Sequence, residues 1–299
     1  MTKTQHGIMA CVIGATSWGF NGVVSQFLLS HYPVEPSWLA SIRMCLAGLF
    51  LTLMILPTKR AEIRQMLHDP VSLRHLVLFS LFGLILSQFS YLSAIKNSNA
   101  GTATVLQTLS VVLMSLYLAV RFHKRPTGRE ILSVFLAFGG VYLAATNGNP
   151  STMVISPLGL TWGLVGAIAC VTYPVLSQGL AANWGAAVAN GLGMIIGGVF
   201  LSLFLQVWTI WPALDLMGWL AVAFIIIIGT ALSFTAFVTG ISEIGPMKAT
   251  LLGTLEPVVA SVTSAIALGT TFHAVELAGY ACIIATVFII ILQKKPAVS

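Results

Sequence analysis

The stretch Pro246–Leu268, PMKATLLGTLEPVVASVTSAIAL, sets a carboxylate, Glu256, in the middle of a run long enough to cross a bilayer, with Pro257 directly after it. About 20 mostly apolar residues cross the hydrocarbon layer. An ionisable group near its centre is costly and marks a candidate functional position. The rest of the chain has the same character. It is 57% hydrophobic, only 7% charged, and has a mean hydropathy of +0.95, whereas soluble domains carry about a quarter charged residues.

Working outward from Glu256, similar runs occupy Ile8–Leu29, Trp38–Leu56, Leu76–Ile95, Ala100–Val120, Ile131–Thr146, Leu158–Leu180, Ala186–Trp208, Met217–Ile241 and Val275–Leu292. The reading is an all-α membrane protein of ten transmembrane helices with short links. The fifth run is short and is expected to start a turn earlier, at Arg129. The first, with Lys3 ahead of a long apolar core and further spans behind it, reads as an uncleaved helix. Cys11, Cys45, Cys170 and Cys282 all fall inside spans with no metal or disulfide spacing, so they read as small packing residues.

Net charge is +6, and its distribution explains it. With the N-terminus inside, all of the 14 Lys and Arg except Lys96 and Arg43 fall on the cytoplasmic side, as the positive-inside rule requires. No basic patch is left for nucleic acid. Both termini are expected in the cytoplasm. Trp38, Trp184, Trp208, Trp211 and Trp219 sit near span ends, where amphipathic rings settle.

The chain also matches itself. An offset of 146 residues aligns Ala103–Leu109 with Ala249–Leu255, and pairs Ser87 with Ser233 and Glu130 with Glu276. An offset of 152 pairs Ser25-Gln26 with Ser177-Gln178. The predicted organisation is two inverted five-helix repeats, residues 1–150 and 151–299. Five is odd, so the second half crosses the membrane upside down. Such repeats place a pseudo-two-fold axis in the membrane plane and a binding site at mid-depth between the halves.

Several segments carry a family resemblance: Trp18-Gly19-Phe20-Asn21 in the first helix, Arg43 in the second, Ser87-Gln88-Phe89-Ser90-Tyr91 in the third, the threonine-rich Ala100–Leu109, and Leu255-Glu256-Pro257-Val258-Val259. In this order the chain resembles the drug/metabolite transporter superfamily, specifically its EamA-type exporters. The resemblance implies an inner-membrane secondary transporter exporting small metabolites, amino acid-like or other small organic solutes, by alternating access. It further implies a central cavity lined by helices one, three, four, six, eight and nine. The chain departs from that pattern at Val111, where the family usually has proline, and at Lys124 and Thr270, where it usually has an acid.

Polar residues within the spans supply the candidate site. Thr104, Gln107 and Thr108 share a helix face, and the repeat gives Thr250 and Thr254 the same spacing. Trp18 is too deep for an interfacial anchor, and Asn21 lies one turn on. Gln88 and Tyr91 form a similar pair, Asn190 has comparable standing, and Tyr173-Pro174 interrupts the sixth span. All these side chains could equally serve helix packing. Arg43 is an electrostatic candidate that could instead snorkel outward or hold an ion pair. Glu256 could carry a proton, bind a solute amine, or be a structural carboxyl. Glu130 and Glu276 open helices and suit capping.

No cofactor, metal set or catalytic constellation is read from the chain: zinc-helix and nucleophile-elbow motifs are missing, and the histidines lie at span ends. A channel or receptor is the alternative to a carrier, with a membrane enzyme behind both. The expected partners are a small solute and the lipid bilayer. A monomer and a homodimer are both open.

Overall fold

A computed structural model describes residues 2–121, 127–149, 154–244, 252–253 and 255–291. The described chain is helical. In chain order it comprises α1 (Lys3–His31), α2 (Pro36–His68), α3 (Pro70–Lys96), α4 (Ala100–Arg121), α5 (Gly128–Thr146), α6 (Pro157–Trp184), α7 (Ala186–Phe204), α8 (216–244), α9 (Leu255–Leu268) and α10 (Ala274–Ile291). Among the described residues, seven helices are long and apolar enough to cross a membrane, and Ile131–Thr146, Leu255–Leu268 and Ala274–Thr286 are shorter apolar helices. Phe135, Phe138, Phe204 and Ile266 lie largely exposed on the outside of the bundle, as side chains facing lipid do. The early start expected for the fifth run is present at Gly128.

Local chemistry sets the helix ends. Thr2 and Gln5 form a reciprocal capping box at the start of α1. Asn99, Ser156 and Asp215 each accept a backbone N–H at the starts of α4, α6 and α8. The Tyr32 hydroxyl donates to Asp215 at 2.6 Å, and this bond, with the Gly218 N–H, holds that carboxyl below its usual range.

Four helices are not uniform. Helix α2 holds Pro57 and kinks at Lys59, where φ is −123° and ψ 18°. Phe79–Ile85 in α3 and Ile227–Leu232 in α8 are π-helical, and Thr230 Oγ1 bonds the Ile225 carbonyl five residues back at 2.8 Å. Helix α4 breaks at Leu109 between Ala100–Thr108 and Ser110–Arg121, although Val111 stands where a proline would have accounted for a kink. The Leu109 N–H turns instead to the Leu106 carbonyl, at 3.2 Å. Helix α6 runs continuously through Tyr173-Pro174. The bend expected near Gly253 falls partly outside the described residues.

The most extensive helix pairings are kept when each of α1–α5 is exchanged with its counterpart five helices on. Helix α2 packs on α7, α5 on α10, and α4 on α9; α1 packs on α8 as α6 packs on α3, and on α9 as α6 packs on α4. Glycine allows the tightest of these approaches. A Cβ on Gly140 would lie 2.7 Å from the Gly279 carbonyl oxygen, and one on Gly279 would lie 2.6 Å from that of Gly140. Small residues let helix backbones close up where lipid supplies no hydrophobic drive.

Polar contacts define two ends. At one, Lys96 pairs with Glu35 at 2.8 Å, Tyr32 meets Asp215, and Ser156 donates to the Asn97 carbonyl at 2.7 Å. At the other, His6 meets Glu243 at 2.8 Å, and the Trp184 indole donates to Ser72 at 2.9 Å. Trp38, expected in an interfacial belt, is instead fully buried. Its ring stands edge-on to Trp211 and Trp219, at centroid distances of 5.6 and 6.3 Å.

Candidate functional site

The helices surround a partly open cavity of about 270 Å³. Helix α1 contributes Trp18 and Asn21, α2 Arg43, α3 Leu84, Ser87, Gln88 and Tyr91, and α4 Gln107. Helix α6 adds Cys170 and Tyr173, α7 Met194, α8 Thr230 and Phe234, and α9 Glu256. A second compartment of about 310 Å³ adjoins it, sharing Trp18, Gln107, Cys170 and Glu256 and reaching Thr104, Thr108, Ser110, Val111, Phe237, Gly253 and Pro257.

The walls are aromatic and lightly polar. Trp18 packs against Phe237 and Phe234 of α8, with centroids 4.7 and 6.5 Å apart. Tyr173 donates to Asn190 Oδ1 at 2.6 Å, and the Asn190 amide donates to the Ala186 carbonyl at 2.8 Å. Gly22 makes room for Tyr91, whose hydroxyl would lie 2.6 Å from a Cβ there. Both π-helical stretches border the cavity, through Leu84 and Thr230; π-turns within α-helices recur at functional sites.

Arg43 is the electrostatic centre of the site. It lies seven residues into α2, about 10 Å along the axis at 1.5 Å per residue, and is only 6% exposed. Its guanidinium does not snorkel to the surface. Nε and Nη1 are buried without a hydrogen-bond partner, as are Asn21 Oδ1 and the Tyr91 hydroxyl. Among the described residues the ion pairs are His6–Glu243, Lys59–Glu62 and Lys96–Glu35. Arg43 and Glu256 thus line one space without forming an ion pair with each other there. Unsatisfied buried polar groups are rare in folded proteins and call for a specific explanation.

Most of the residues singled out in the sequence meet in this space: Trp18, Asn21, Arg43, Gln88, Tyr91, Gln107, Tyr173 and Glu256 in the first compartment, Thr104 and Thr108 in the second. The hydroxyls of Thr104 and Thr108 bond their own helix, to the Ala100, Gly101 and Val105 carbonyls, so it is mainly their methyl faces that are free for the cavity. Thr250 and Thr254 lie outside the described residues. Glu276 accepts the His273 N–H at 3.4 Å and the Tyr280 hydroxyl at 2.5 Å, which combines a helix cap with a buried network. The sequence reading did not single out Thr230, Leu84 or Met194, and took Cys170 for packing alone. A count of polar residues would have reached Thr230; nothing local marks Cys170. Among the described residues no group of His, Cys, Asp and Glu could hold a metal ion.

A helical bundle with an apolar exterior and a central cavity lined by Arg43 and Glu256 defines a multi-pass membrane protein. The model of the EamA-like transporter family matches residues 5–146 and again 157–292. The chain belongs to that family, whose members are transporters rather than enzymes, within the drug/metabolite transporter superfamily. It is 30% identical over 295 residues to the uncharacterized inner membrane transporter YicL of Salmonella typhimurium, covering 99% of this chain and 98% of that one. It is 26% identical over 270 residues to the uncharacterized transporter YyaM of Bacillus subtilis, covering 87% of each. A solved crystal structure superposes with a TM-score of 0.61 at 18% identity, over 96% of this chain and 95% of that one, a likeness of fold.

Proposed function

We propose that the protein is a secondary transporter exporting a small organic solute across the inner (plasma) membrane by alternating access. Ten spans form two inverted five-helix repeats, residues 1–150 and 151–299, with both termini in the cytoplasm. Three findings support that arrangement: the family model matches twice, the most extensive helix pairings are kept on exchanging the halves, and the two π-helical stretches fall in corresponding helices. The name of the Salmonella relative supports the choice of membrane.

One observation carries the reading of the cavity: Arg43 lines it together with Glu256, and two nitrogens of its buried guanidinium have no hydrogen-bond partner. A solute with an anionic group for Arg43 and a cationic group for Glu256 satisfies both, and amino acid-like zwitterions fit that description. The aromatic wall of Trp18, Phe234 and Tyr173 accepts an apolar body. Trp18, Asn21, Gln88, Tyr91, Thr104, Gln107, Thr108, Tyr173, Thr250 and Thr254 are the proposed cavity residues, with Glu256 as proton carrier or amine ligand.

The test begins with metabolite profiles of medium from cells with and without the protein. Liposome counterflow of the enriched compound follows. Saturable exchange that Arg43→Met removes supports the carrier. Unitary currents in single-channel recording would replace it with a pore.

A further inference from the structure

Moving along α1 from the cavity toward the Lys96 end of the bundle, the packing changes character within two turns. Trp18 and Asn21 face the cavity. Val23, two residues beyond Asn21, joins Ala100 of α4 and Ala260 of α9 in a small apolar cluster, each at most 5% exposed, with Leu268 against it. The backbones of α4 and α9 nearly touch here: a Cβ on Gly101 would stand 3.1 Å from Ser261 Cα. Gln26 follows, one turn further out.

The Gln26 side chain satisfies three separate elements at once. Its Oε1 accepts the Ala100 N–H, at the first residue of α4, at 2.8 Å, and the Ser264 hydroxyl of α9, also at 2.8 Å. Its Nε2 donates to Thr270 Oγ1, in the turn after α9, at 3.1 Å. Ser264 and Thr270 complete the ring with a contact of 2.7 Å between their hydroxyls. The first N–H groups of a helix have no partner within it, so Gln26 occupies a position that any side chain binding the start of α4 would need. From Asn21 to Gln26 is roughly 7 Å along the helix, and that layer separates the cavity from the Lys96 end. In the opposite direction the second compartment continues to Ser110, Val111 and Gly253.

We infer that Gln26 is the latch holding the Lys96 end of the cavity shut, and that releasing its bonds to α4, α9 and the turn after α9 opens the cavity to that side. The inference rests on the transporter reading, because a cavity that never opens needs no latch. It makes Gln26 a gating residue that touches no solute. A carrier switching between two states moves its populations by whatever holds one state together. Removing the latch therefore raises access from the Lys96 side and lowers access from the other.

Cys170 lines both compartments and serves as the reporter. With Cys11, Cys45 and Cys282 replaced by alanine, a membrane-impermeant maleimide is applied to membrane vesicles of both orientations. Gln26→Met is expected to speed labelling from the Lys96 face by about tenfold, the scale on which losing a buried hydrogen-bond cluster moves a two-state balance. Labelling from the opposite face should slow. Gln26→Glu, which keeps the acceptor for Ala100 and Ser264, should have a smaller effect. Ser264→Ala should act in the same direction without adding to Gln26→Met, and it carries the test alone if Gln26→Met does not fold.

Lys96-face labelling within twofold of the parent, with brisk labelling from the other face, would overturn the latch and leave the transporter reading standing. Faster labelling from both faces together would mean general loosening and would also overturn it. No labelling from either face in any variant would sink the water-filled cavity and the latch together.

Discussion

Arg43→Met separates a solute-binding role from a structural one by the sign of its effect on stability. The guanidinium is always charged, 6% exposed, and leaves Nε and Nη1 without partners. Each buried unsatisfied donor costs about 1–3 kcal/mol. Removing a buried charge relieves a desolvation cost of several kcal/mol per ion, and Glu256 on the same space can take up a proton in compensation. Allowing for lost contacts along the side chain, we expect a net gain of about 1–3 kcal/mol in the empty protein. At about 2–4 °C per kcal/mol, the unfolding midpoint should rise by about 2–12 °C. Transport of the cognate solute should fall at least about thirtyfold, the smaller end of losses from truncating one side of a buried charge contact. The assays are thermal unfolding of the purified protein in detergent and flux in liposomes. A midpoint lowered by several degrees would refute the reasoning, because it would mean that Arg43 holds the fold through a partner.

Other outcomes follow from the same geometry. Glu256→Gln should remove any pH dependence of flux between about pH 5 and 8 if the carboxyl carries a proton; flux in the parent that is indifferent to pH excludes that role, and an amine-binding role then shows as weaker solute affinity at every pH. Gly279→Leu puts side-chain atoms where a Cβ would already stand 2.6 Å from the Gly140 carbonyl and 2.7 Å from the Ala144 nitrogen. It should destabilise by about 1–3 kcal/mol as other overpacked contacts do, while the KM of the folded fraction stays unchanged because α5 and α10 do not line the cavity.

Much of the candidate site was legible from residue type and depth. Trp18, Asn21, Gln88, Tyr91, Gln107, Tyr173 and Glu256 are polar or amphipathic groups inside the predicted spans, and all border the cavity. The latch was half visible. Gln26 matched Gln178 between the halves, and Thr270 stood out as a departure from the family pattern, but nothing local joined them. Cys170 could not have been found this way, since a thiol in a span reads the same on either face.

Hydropathy is a local property, so the amino-acid sequence by itself determined where the helices run, how the charges distribute between the two ends, and which residues would be expensive in lipid. The rotation of each helix depends on what it packs against, and that belongs to the whole bundle. Only the tertiary structure decided that Arg43 turns inward and stays unpaired, that α3 and α8 relax into π turns beside the cavity, and that Gln26 meets partners 74 and 238 residues away. Backbone groups at a helix start need partners wherever they are buried, and which side chain supplies them is settled by proximity in space.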